Sequence, residues 1–187
     1  MGFSRIEITH LVISVFTISL AFSVYNIFSF PVALFSVGIG FVFHELGHKW
    51  AAQRFGCIAE YRMWTGGLLL ALVLAIVSGG HFVFAAPGAV YVFKEYLSRR
   101  ENGIISLAGP LVNLGLAVFF LVLHGFVNPN SILGIITGVG AYVNIFLGMF
   151  NMLPIYPLDG SKVFYWRSDV WLFTFGIFLM MFMFFAF

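Results

Sequence analysis

His44, Glu45 and His48 stand in the order H-E-L-G-H. A helical turn takes 3.6 residues, so histidines four apart share one face, and the glutamate between them projects from nearly the same side. Two imidazoles so placed can hold Zn2+, and a carboxylate beside them can take a proton from a metal-bound water. That is hydrolytic chemistry. A catalytic zinc takes three protein ligands and a water, so the pattern lacks one residue, which the rest of the chain has to supply.

Composition sets the solvent in which this must happen. Of 187 residues, 61% are hydrophobic and 9% charged, with a mean hydropathy of +1.05; a soluble domain carries about 25% charged residues. The chain reads as an all-α polytopic membrane protein, a single membrane-embedded domain over residues 1–187 with about five to six transmembrane helices of about 20 residues each. Expected spans are residues 10–30 (an uncleaved span, too long for a signal peptide), 32–53, 103–126, 132–153 and 170–187. Residues 66–93 fit no simple span. Within them, 68–78 reads as a short or re-entrant helix, and the flanks of Pro87-Gly88 read as extended segments around a turn. Non-helical backbone at such depth persists only when buried in protein or lining a wet cavity, so this small re-entrant or β-hairpin element is expected beside the active site. Cys57 is alone, which excludes an intrachain disulfide.

The acidic residues single out the missing ligand. Glu7, Glu60, Glu95, Glu101 and Asp169 fall in polar stretches expected to face water, and only Glu45 and Asp159 do not. A carboxylate at membrane depth is functional by default, because leaving it unpaired there is costly. Asp159 follows the span 132–153, which ends on the same side as the helix bearing His44 and His48. It can therefore reach their depth, and it is the expected third ligand. The nine basic residues all fall on that side, provided 66–93 leaves by the side it entered; the positive-inside rule then makes that side the cytoplasm. The net charge of +2 is explained by these flanks and calls for no nucleic-acid partner.

These residues resemble the site-2 protease group of intramembrane zinc metalloproteases, of the peptidase M50 type. The resemblance rests on H44-E-L-G-H48 in the second span and on N151-x-x-P-x-x-P-x-D-G160 after a later one, and it covers most of the chain. It implies one Zn2+ per chain on His44, His48 and Asp159, Glu45 as catalytic base, and Asn151 holding substrate or oxyanion. Ala108-Gly109-Pro110 with Asn113 is similar to the family's A-G-P-x-x-N stretch, and Asn113 is expected at the substrate, with interhelical hydrogen bonding as the alternative. The segment around Pro87 and Gly88 is similar to the family's β-hairpin, expected to bind substrate. The apolar stretch 68–77 ahead of it departs from the pattern.

Together these readings imply a zinc-dependent intramembrane endopeptidase. It would cut within or near transmembrane segments of other membrane proteins, in the cell membrane, with its site toward the cytoplasmic side. A substrate helix has its carbonyls tied up in its own hydrogen bonds; once unwound it needs new partners, which an extended edge near Pro87 can supply by strand addition. The alternative is a catalytically weak relative that holds membrane clients or metal, although a pure binding site has no use for Glu45. A metal transporter would show paired half-repeats, and none is found. Asn144 reads as interhelical glue, His81 as a weak site candidate, and Gly134-x-x-x-Gly138 as a packing face that leaves the oligomeric state open.

Overall fold

Ser4 starts the first helix, α1 (Arg5–Ser23), by accepting a hydrogen bond from the Glu7 amide at 3.1 Å, which satisfies one of the donors a helix start leaves open. The span therefore begins and ends earlier than residues 10–30, and a 3-10 turn at Ile27–Ser29 leads into the next helix. The computed structural model describes residues 2–84, 86–94 and 96–186; the expectation for Glu95 lies outside the described residues. Helices α2 (Phe30–Arg54), α4 (Arg99–His124), α5 (Ile132–Asn151) and α7 (Ser168–Ala186) follow, separated by the short helices α3 (Thr65–Val77) and α6 (Asp159–Trp166). Five of these, α1, α2, α4, α5 and α7, are long and apolar enough to cross a membrane. The fold is mostly helical with one small sheet, as the sequence implied.

The helix α2 packs on α1, α4 and α5. Lipid tails give helices no hydrophobic reason to associate, so close approach through small residues carries the packing. A Cβ at Gly47 would lie 3.0 Å from the Ala108 carbonyl of α4, and one at Gly40 would lie 3.0 Å from the Asn144 amide oxygen of α5.

Residues 66–93 hold the expected short helix, α3, but the strand after it pairs otherwise than expected. The strand β2 (Gly88–Phe93) pairs not with its own upstream flank but with β1 (Ile58–Met63), antiparallel, Ile58 opposite Phe93 and Met63 opposite Gly88. Between them α3 runs alongside α1 until Gly80 meets the Tyr25 backbone. Thirteen helical residues descend about 20 Å at 1.5 Å each, and the chain is back where it started by Pro87, whose carbonyl accepts from the Trp64 amide at 2.7 Å. The chain comes back past Val83, buried with Ala21 and Ala75, and Phe84, which meets Phe150 edge-on at 5.6 Å. Residues 68–77 thus re-enter: the segment leaves by the side it entered. The missed signal was Ala59-Glu60-Tyr61-Arg62, where buried Ala59 and Tyr61 alternate with Glu60 and Arg62 at the strand period.

Glu7 also differs from expectation. It is 1% exposed, not in a water-facing stretch. Its carboxylate accepts from Lys49 Nζ at 2.6 Å and from the Tyr61 amide at 3.1 Å, and Lys49, 2% exposed, also donates to the Gly2 carbonyl and lies over the Phe3 ring. One ion pair so ties α1, α2 and β1 together. Breaking a buried pair from one side leaves an uncompensated charge at a cost of about 3–5 kcal/mol, whereas replacing both partners is often neutral. Lys49→Met is expected to lower the unfolding free energy in detergent micelles by about that amount. The double variant with Glu7→Gln, which keeps an acceptor for the Tyr61 amide, should recover most of it.

Candidate metal centre

His44 and His48 project from α2 toward α4, and Asp159 meets them from the first residue of α6. All three are buried. The Asp159 Oδ2 atom lies 3.3 Å from His44 Nε2 and 3.0 Å from His48 Nε2, and the two ring nitrogens are 3.0 Å apart. A tetrahedral site with ligand bonds of about 2.0–2.1 Å has edges of about 3.3–3.4 Å, so one edge of the triangle matches a zinc site and the other two are about 0.3 Å short of it. A Cβ at Gly109 of α4 would overlap both Nε2 atoms, which is why the helix passing this close to the metal face carries glycine there.

The hydrogen bonds behind the rings decide what faces the middle. His48 Nδ1 is 2.7 Å from the Ile105 carbonyl, which can only accept, so Nδ1 carries the proton and the neutral, metal-binding ring has its lone pair on Nε2. His44 Nδ1 is 2.5 Å from Asn113 Oδ1, and the Asn113 amide nitrogen donates to the Gly40 carbonyl and to Asn144 Oδ1. Both Asn113 N–H bonds are thus spent, its oxygen must face His44, and His44 too presents a lone pair. Asp159 adds a third acceptor, the carboxylate oxygen Oδ2 that faces both Nε2 atoms. Three acceptors therefore converge within 3.3 Å with no donor between them. A bound cation reconciles them, and the donor set of two imidazoles and a carboxylate suits zinc.

A cavity of about 440 Å3 opens on this triad, lined by Glu45, Asn151, Pro87 and the β2 residues from Gly88 to Val92. Glu45 is 6% exposed, and its Oε2 has no hydrogen-bond partner among the described residues. Asn151, the last residue of α5, spends one N–H on the Leu147 carbonyl at 2.9 Å and keeps the other. Gly88 takes no side chain, because a Cβ there would run into the Arg62 carbonyl and the Tyr61 hydroxyl. The loop 152–158, with a cis peptide bond between Tyr156 and Pro157, carries the chain from Asn151 to Asp159. Of the eight residues singled out from sequence, seven line the cavity. Asn113 does not. It is 0% exposed and sits behind His44, out of a substrate's reach. Lys162, which sequence reasoning passed over, lines the cavity with its Nζ 3.6 Å from Asp159 Oδ1; its signal was a spacing of three from Asp159 on one helix.

The sequence model of peptidase family M50 matches residues 32–140. A Methanocaldococcus jannaschii protein, MJ0611, is 46% identical over 171 residues, 90% of this chain and 88% of its own length. YwhC of Bacillus subtilis is 28% identical over 160 residues, 76% of this chain and 71% of its own; both are named as candidate zinc metalloproteases. A second M. jannaschii protein, zinc metalloprotease MJ0392, is 24% identical over 159 residues, 85% of this chain and 40% of its own length. No solved structure matches.

Proposed function

From the chain's membership of peptidase family M50, the site-2 protease group of zinc metalloproteases, we propose that this integral membrane protein is an endopeptidase that cuts other membrane proteins within or near their transmembrane segments. The observation that carries the reading is the unpartnered carboxylate oxygen of Glu45, buried beside three converging metal donors at the wall of a cavity edged by a strand.

Zinc held by His44, His48 and Asp159 would supply a water with its pKa lowered to about 7 and would polarise the scissile carbonyl. Glu45, through its free Oε2, accepts the proton of the attacking water and later hands it to the leaving amine. The remaining Asn151 N–H is in reach of the cavity and donates to the oxyanion as charge develops there. Substrate enters as an extended chain. An unwound transmembrane segment carries unpaired N–H and C=O groups that water does not serve in lipid, and β2, paired among the described residues on its β1 edge alone, offers backbone from Gly88 onward as a new partner. The return of residues 66–93 to the side they left keeps the basic residues together, which supports a cell-membrane protein with its site toward the cytoplasm.

The test uses the purified protein with a model single-span substrate in detergent or liposomes. Chelation is expected to stop cleavage and added zinc to restore it. Cleavage that persists after the metal has been removed to below the protein concentration overturns the reading.

A further inference from the structure

The two asparagines behind His44 are more than packing. Among the described residues, Asn113 of α4 and Asn144 of α5 are both 0% exposed, in spans where a buried polar group is kept only if its hydrogen bonds are met. Their bonds form one directed chain. The Asn144 amide nitrogen donates to the Gly140 carbonyl one turn earlier on its own helix at 2.8 Å, which turns its oxygen toward α4. That oxygen accepts from Asn113 at 2.9 Å, and the second Asn113 N–H goes to the Gly40 carbonyl of α2 at 3.0 Å. Only the Asn113 oxygen is left for His44 Nδ1, at 2.5 Å.

A reversed Asn113 amide would set its oxygen against two acceptors, the Gly40 carbonyl and Asn144 Oδ1, and its nitrogen against His44. It would then need a lone pair on Nδ1 and a proton on Nε2, the nitrogen that faces Asp159 and His48. Such a ring cannot ligate a metal from Nε2. We propose that Asn144 and Asn113 act as a buried amide relay that holds His44 in its metal-binding tautomer: Asn113 is the positioning residue, and Asn144, on a third helix and outside the zinc motifs, locks its orientation. Three helices thereby set the state of one ligand. The fit is close, since a Cβ on Gly40 would lie 3.0 Å from the Asn144 oxygen. His48 has no such dependence, because a backbone carbonyl fixes its Nδ1 proton.

The inference rests on His44 being a metal ligand, and the experiment separates the two. Zinc affinity is measured by competition with a chromophoric chelator for the wild type, Asn113→Leu, Asn144→Leu, the double variant and His44→Ala. Losing an outer partner of a metal-bound histidine typically costs 10–100-fold in affinity, and Asn113→Leu is expected in that range. Asn144→Leu should weaken binding by about tenfold alone and add nothing once Asn113 is gone, because its effect passes through Asn113. Unchanged affinity in Asn144→Leu, or an equal loss in both backgrounds, overturns the relay while His44→Ala still abolishes binding. Unchanged affinity in His44→Ala overturns the ligand assignment and the relay with it. A readout independent of folding in the variants is the 15N histidine spectrum of the zinc-free wild type: His44 protonated on Nδ1 is expected, and predominant protonation on Nε2 overturns the proposal.

Discussion

Glu45→Gln is expected to end peptide cleavage while zinc stays bound at the wild-type level. The substitution keeps the side chain's shape and removes only its capacity to take a proton. General acid–base participation contributes about 10²–10⁴-fold, about 3–5 kcal/mol at 1.36 per factor of ten, so the residual rate should fall by at least that range. Zinc content should hold, because the donors of the triad are His44, His48 and Asp159 and do not include Glu45. Stability should hold or rise. A carboxylate at membrane depth is a standing cost, about 2.5–3.5 kcal/mol for an acid at a helix centre, and proteins keep such costs where activity requires them. The three readouts are cleavage of a single-span substrate, metal per chain by mass spectrometry, and the unfolding midpoint in micelles. Retained cleavage would remove Glu45 from the chemistry. Lost zinc would move it into the ligand set.

The contrast between Glu45 and Glu7 shows where sequence reading holds and where it stops. Glu45 was legible because its neighbours sit at helical spacing, and period alone puts His44, Glu45 and His48 on one face. Asp159 was legible because span counting brings it to the same depth. Glu7 was misread because its partner, Lys49, is forty-two residues away, and nothing local distinguishes a glutamate paired across two helices from one in water. The sheet failed for the same reason. A turn signal at Pro87-Gly88 favours pairing of its own flanks, but those flanks are committed otherwise: residues 81–84 climb back along α3, and β2 finds its partner before that helix, at Ile58–Met63. Asn113 shows a third limit. Its place in the A-G-P-x-x-N stretch was visible, but whether it faces the cavity or the back of His44 depends on how α4 turns against α2, where Gly47 and Gly109 permit the close approach.

Asp159→Ala is expected to empty the metal centre, and it tests the part of the site that no local motif announces. Asp159 reaches the imidazoles because α6 is wedged in place. Val163 is buried with Met152 and Phe178, the Trp171 indole N–H donates to the Met152 carbonyl at 2.8 Å, and a Cβ at Gly160 would collide with that same carbonyl. As the first residue of a helix whose N-cap offers no side-chain bond, the carboxylate also sits where the helix dipole favours negative charge. Alanine leaves two neutral donors where three were aligned. The loss in zinc affinity should therefore exceed the 10–100-fold that an outer partner costs, and cleavage should vanish with it. Asp159→Asn, which keeps the shape and drops the charge, should fall between. His81→Ala is the counterweight. His81 is exposed, its ring 6.0 Å from that of Tyr25 beyond the C-terminal end of α1, so the zinc content of this variant should match the wild type at a fixed free-zinc level. If Asp159→Ala retains zinc at that level, the third donor is another residue, and the three-acceptor geometry that points to a cation loses its charged member.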